Sequence, residues 1–288
     1  MSTPEVVREA LGRRLTELEK YFKADVGFYY GPIDQALLPR FRIFIEKIAD
    51  EKKHAGNLAL FLNTGGGSVE VAEKLVTMMR SYYTNVVFVV PDMAMSAGTV
   101  LCMSGDRIYM DYSSSLGPID PQVYNGKEWV PALGYLDKVD ELIKKAANNT
   151  LTQAEFLILR DQDIARLARF EQARDLTRDL LKKWLVVYKF KDWRKHKNDP
   201  AKKGKPVLHE EKCARADEIA QKLGDNRIWH SHGRMIGPDV LKKELKLKID
   251  DYTHDIPLRG LIRAYNDLLL DYIGRNNPAP FLHNRNFF

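Results

Sequence analysis

A chain of 288 residues can bury one substantial core, and 44% hydrophobic with 29% charged residues is the composition of a folded globular protein, which excludes an intrinsically disordered one. Two widely separated cysteines, Cys102 and Cys213, point to free thiols and a cytoplasmic setting, and no apolar run approaches the roughly 20 residues of a membrane span. The net charge of +6 owes much to one stretch, Lys189 to Lys205, which reads as a solvated basic loop with no nucleic-acid-binding motif beside it.

Residues 1–23 form a charged amphipathic helix without an apolar leader region. Ala24–Tyr30 then predicts a strand, and Gln35–Ala49 a helix with Leu38, Phe41, Ile45 and Ile48 at helical spacing. The short apolar run Leu58–Leu62 is a buried strand that enters Asn63-Thr64-Gly65-Gly66-Gly67-Ser68 and a helix carrying Val71, Ala72, Leu75 and Met79 on one face. A second strand, Val86–Val90, stops at Pro91, and Met95–Met103 predicts a helix begun by Ser96-Ala97-Gly98. Arg107–Tyr112 is a third strand, Ser113–Gln122 a turn-rich loop, and Tyr135–Ala147 a helix.

Strand alternating with helix predicts a mostly parallel sheet. Thr152–Tyr188, Leu-rich and charged, predicts one or two long helices, followed by the basic stretch. His209–Leu223 is helical, Arg227–Gly237 irregular, Pro238–Leu245 a short helix, Leu258–Ile273 a closing helix, and Asn276–Phe288 a loose tail. The expected organisation is an N-terminal helix (1–23), a catalytic core (24–150), a helical arm (151–190), a basic loop (191–207) and a C-terminal extension (208–288).

Ligands of open α/β sheets bind at the carboxyl ends of strands, where loops converge, and both glycine-bearing loops sit at such ends. Gly65-Gly66-Gly67 has no Cβ atoms to keep a substrate away, so its N–H groups can approach a carbonyl oxygen and stabilise an oxyanion. Ser96, at the head of a helix with small residues after it, can present its hydroxyl at the same sheet edge, although a serine there also serves as an ordinary N-cap. No Gly-Lys-Ser/Thr follows the glycines to make a nucleotide site.

The three blocks Leu62-Asn63-Thr64-Gly65-Gly66-Gly67-Ser68-Val69, Met93-Ala94-Met95-Ser96-Ala97-Gly98-Thr99 and Ser115-Leu116-Gly117-Pro118-Ile119-Asp120-Pro121-Gln122 stand in this order. Together they resemble the serine dehydrogenase proteinase family, Clp/crotonase-like serine peptidases related to signal peptide peptidase A and the Clp proteolytic subunit. The resemblance implies an α/β Clp-type core of repeated strand-strand-helix units with a helical arm and a C-terminal extension. It also implies Ser96 as nucleophile and the amides of Gly67, Gly66 and Ala97 as an oxyanion hole. Where the Clp subunit carries its histidine, this chain has Leu116-Gly117-Pro118.

Related Ser-Lys enzymes place a lysine about four dozen residues after the serine, and Lys138 matches that pattern on the border of the apolar face formed by Leu136, Val139, Leu142, Ile143 and Ala146. Lys138 is therefore the expected base. Lys127, Lys144, Lys145 and His232 of the run His230-Ser231-His232-Gly233-Arg234 are competitors, and Asp120 reads as part of a rigid Pro-Ile-Asp-Pro loop. The expected function is serine endopeptidase action on peptides or unfolded chains by a trimer-based or ring homo-oligomer, with no metal, cofactor or nucleic acid. The rivals are an inactive peptide-binding scaffold and a crotonase-type enzyme acting on acyl thioesters.

Overall fold

A computed structural model of the chain describes residues 3–50, 56–124, 129–196, 200–276 and 280–287. After α1 (Thr3–Phe22) come β1 (Asp25–Tyr30), α2 (Leu37–Asp50), β2 (Asn57–Asn63), α3 (Val69–Tyr82) and β3 (Asn85–Val89). Then follow β4 (Met93–Ala94), α4 (Ala97–Cys102), β5 (Arg107–Met110), β6 (Ser115–Leu116) and a hairpin of β7 (Gln122–Tyr124) with β8 (Trp129–Pro131). Helices α5 (Ala132–Ala147), α6 (Gln153–Arg160) and α7 (Ile164–Trp184) form the arm, and α7 runs into a π-helical turn, Leu185–Lys189. The remainder is α8 (His209–Gly224), α9 (Asn226–Trp229), α10 (Pro238–Lys243), β9 (Asp250–Asp251), α11 (Ile256–Asn276) and β10 (Phe281–His283).

The main sheet has the order β10-β1-β2-β3-β5-β9, parallel throughout except for β10. Its central strands are apolar on both faces, and period-2 alternation divides each strand between two cores. Leu58, Leu60, Leu62, Val86, Phe88, Ile108 and Met110 pack with α2, α3 and α4. Ala59, Phe61, Val89 and Tyr109 face the other way, onto Leu11, Leu15 and Leu18 of α1 and Leu258, Ile262, Tyr265 and Leu269 of α11. Helices on both sides of a mostly parallel sheet are what the strand-helix alternation predicts and fit the Clp-type α/β core that the resemblance implies.

Three regions differ from the sequence-based reading. The tail is not loose at 281–283, because Phe281, Leu282 and His283 are buried and pair with Tyr30, Tyr29 and Phe28 of β1. The Tyr265 hydroxyl and His283 Nδ1 lie 2.6 Å apart, and Arg285 reaches Glu19 of α1. The basic stretch is strapped to the fold rather than solvated throughout: Lys191 bonds Asn85, Lys202 and His196 both meet Glu211, and Lys195 bridges Pro206. The Lys189 ammonium is covered and has no hydrogen-bond partner among the described residues, and burial pulls its pKa down to about 8. Third, Ile143 and Ala146 of α5 are exposed, so its apolar face is limited to Ala132, Leu136, Val139 and Leu142.

Burial holds His283 neutral by pulling its pKa from 6.5 down to about 3. Between those values the unfolded chain binds more protons than the folded one, so the stability is complete above pH 6.5 and drains away as pH falls towards 3. Urea unfolding should therefore show wild type losing about 2 to 3 kcal/mol more than His283→Phe between pH 7 and pH 4.5. Equal losses would mean that His283 is not buried in neutral form.

Candidate active site

Beyond the ends of β2, β3 and β5 the chain forms a second, short layer. Thr64 bridges Ala94, Ala94 pairs with Leu116, and Leu116 bridges Ile236 in antiparallel sense. These four residues make one row. The first three strands leave it through Gly66 and Gly67, through Ser96, and through Gly117 to Asp120, while the antiparallel fourth strand arrives through His232 to Met235. The chemistry-bearing residues of four segments thus lie on one side of a single row.

Ser96 has φ 52° and ψ −118°, a backbone conformation that an L-residue adopts only under constraint, at a cost of about 1 to 3 kcal/mol. It precedes α4, yet its side chain makes no capping bond. Ser68 behaves as an ordinary N-cap should, accepting from the Val71 N–H at 3.1 Å. The N-cap explanation therefore fits Ser68 and fails for Ser96, whose half-buried hydroxyl has no hydrogen-bond partner among the described residues.

The glycine loop lies directly against this serine. A Cβ on Gly66 (φ +105°) would stand 2.8 Å from the Ser96 Cβ and 2.8 Å from the Met95 carbonyl oxygen. Gly67 is pinned on its other side to Ile33, whose N–H donates to the Gly66 carbonyl and whose carbonyl accepts from Ser68. The Gly66 N–H is already committed to Thr64 Oγ1 at 3.0 Å, which removes it from the expected set of free amides. The N–H groups of Gly67 and Ala97 donate no hydrogen bond among the described residues.

Asp120, 1% exposed, accepts from Gln122 and lies 2.9 Å from His232 Nδ1. His232 is a quarter exposed on its side chain, and its Nε2 has no partner among the described residues. The loop expected to be merely rigid therefore carries a buried carboxylate that orients an imidazole. Lys138 is placed differently from expectation: its side chain is 62% exposed and pairs with Glu141 at 2.9 Å. That side chain stands in solvent, away from the buried setting that the expected role as base calls for. Lys144 is exposed, Lys145 is held by Glu141 and Glu155, and Lys127 lies outside the described residues.

Beside the row, a cavity of about 470 Å³ opens between β4, β6 and α11, walled by Met93, Met235, Leu270 and Ile273. Its floor is braced by Asp92, which accepts from Asn63, Asn266 and Arg263. Arg263 also grips Asp111, at 2.8 Å to each oxygen. Burial raises the Asp111 pKa, but the bonds from Arg263 and Ser113 outweigh it and leave the carboxyl below its usual range.

The profile of the ClpP-like SDH-type serine proteinases matches residues 47–199, just over half of the chain. The chain belongs to this family. The matched span contains Ser96, Asp120 and Lys138 and ends before His232. Two uncharacterized proteins of Methanocaldococcus jannaschii are similar: one is 32% identical over 36% of this chain and 40% of its own length, the other 27% identical over 32% and 30%. The chain thus spans well under half of the curated relatives it matches. Among solved structures, two mutants of a membrane-bound stomatin-specific protease are similar at a TM-score of 0.33. The serine-to-alanine mutant is 17% identical over 43% of this chain and 65% of that one, and the lysine-to-alanine mutant, in complex with a substrate peptide, 18% identical over 43% and 61%. Among the described residues, no helix is long and apolar enough to cross a membrane.

Proposed function

We propose that this family member is a serine endopeptidase in which Ser96 is the nucleophile, His232 the general base and Asp120 the residue that orients the base. The observation that carries the reading is the strained Ser96 with its unused hydroxyl, set in the same row of strands as the His232–Asp120 pair. His232 Nε2 takes the Ser96 proton as Oγ attacks the peptide carbonyl, and the N–H groups of Gly67 and Ala97 receive the oxyanion. The imidazolium, stabilised by Asp120, then protonates the leaving amine, and water repeats the sequence on the acyl-enzyme. Ser96 and His232 share no hydrogen bond in the free protein. Such contacts commonly tighten only in the complex with substrate.

The apolar cavity beside Met93 and Met235 suits a large apolar side chain of the substrate. Flexible or already unfolded chains are the proposed substrates. A homo-oligomer belongs to the same proposal, because α6 has no buried residue and exposes Phe156, Leu157 and Ile158, with Ile164 nearby at 81% exposure. A cytoplasmic location is proposed on the ground that Cys102 and Cys213 are both free thiols. Incubation with a permanently unfolded polypeptide should yield discrete internal fragments by mass spectrometry, and Ser96→Ala should yield none. Identical fragments from both proteins would assign the cleavage to a contaminant, and no fragments from either would leave a peptide-binding scaffold.

A further inference from the structure

Beyond Met93↔Ser115 and Ala94↔Leu116, no backbone bond joins the Ser96 segment to the Asp120 segment among the described residues. Past Leu116, a side chain takes the place of the ladder. Thr99, fully buried one helical turn after Ser96, accepts from the Gly117 N–H at 2.8 Å, and its hydroxyl lies 3.0 Å from the Gly117 carbonyl and 2.8 Å from the Ala94 carbonyl. A hydroxyl has one proton, so it donates to one of these carbonyls at a time while continuing to accept from Gly117. Thr99 is three residues after Ser96, and Gly117 is three residues before Asp120.

We infer that Thr99 is a positioning residue that sets the distance between nucleophile and base, an inference that rests on the peptidase reading above. The base cannot drift alone. The Leu116 and Ile236 backbones exchange hydrogen bonds of 3.0 and 2.8 Å, and Asp120 holds His232, so the loop and the imidazole move as one body relative to Ser96. Thr99→Val keeps the volume but leaves the buried N–H and C=O of Gly117 without their partner. The body then shifts as a unit, with its internal Asp-His bond unchanged.

The test is the rate of fluorophosphonate labelling at Ser96, normalised to folded protein and followed across pH. Thr99→Val should label roughly 10- to 100-fold more slowly at every pH, with the shape of the pH–rate profile retained. Thr99→Ser should return to within about threefold of wild type, because it restores the hydroxyl. Asp120→Asn, which breaks the pair itself, should change both rate and profile. Wild-type rates in Thr99→Val, or a Thr99→Ser as slow as Thr99→Val, would overturn the inference. Should Thr99→Val not fold, amide exchange on the wild-type protein decides: strong protection of the Gly117 N–H supports the tie, and exchange at an open-loop rate refutes it. A wild-type protein that does not label at all, like its Ser96→Ala control, removes the peptidase reading and this inference with it.

Discussion

His232→Ala should reduce phosphonate labelling of Ser96 by roughly 10³-fold or more, while Lys138→Ala should change it by less than about threefold. The contrast follows from where each side chain lies. Lys138 stands in solvent against Glu141, without the burial that a lysine base calls for. His232 Nδ1 lies 2.9 Å from a buried carboxylate, and with the proton on Nδ1 its Nε2 is the acceptor, the tautomer a serine hydrolase needs. Asp120→Asn should also slow labelling, by about 10² to 10⁴-fold, because the imidazole stays but its tautomer and charge support are lost. Second-order labelling constants for the three variants decide the matter. Loss of reactivity in Lys138→Ala with His232→Ala intact would restore a Ser-Lys dyad.

Gly67→Ala should lower Ser96 reactivity by about 100-fold or more and cost the fold about 2 to 4 kcal/mol. A Cβ at this position would collide with the Ile33 carbonyl oxygen, and φ is +146°, a conformation that glycine tolerates and alanine resists. The obstructing atoms are backbone, so relief requires the loop itself to move, taking the Gly67 N–H away from the oxyanion position. Gly65→Ala is the matched control. Nothing lies within 4 Å of a Cβ there and φ is not positive, so activity and stability should remain near wild type. Thermal unfolding and labelling rates measured on both variants check the prediction, and equal behaviour of the two would refute it.

Much of the architecture was legible in the chain because it is written in local periodicity. Leu58–Leu62 and Val86–Val90 are apolar at every position, and a strand of that kind belongs in a sheet covered on both faces. The glycine run and Ser96 likewise stand in the strand-to-helix turns where the sequence placed them, and the structure brings them into contact. What local pattern could not convey was long-range pairing. Asp120 and His232 are 112 positions apart and are joined through a one-residue bridge, Leu116 to Ile236, too short to leave any alternation. An available signal was an aspartate between Ile119 and Pro121, a poor site for a carboxylate unless a cationic or hydrogen-bonding partner reaches it. Lys138 shows the limit of spacing alone. Its spacing from Ser96 matched a family pattern, but spacing along a chain does not say which face of α5 turns to solvent. The tail was misread for a related reason, since a phenylalanine, a leucine and a histidine in a row carry little periodicity, and only β1 shows what Phe281 to His283 pair with.

Mass mapping of the adduct formed by a fluorophosphonate on the folded protein tests the role of Ser96 most directly. A single adduct is expected on the peptide containing Ser96, absent from Ser96→Ala and strongly slowed in His232→Ala. A folded protein that takes no adduct, or one modified elsewhere to the same extent in Ser96→Ala, would contradict that role.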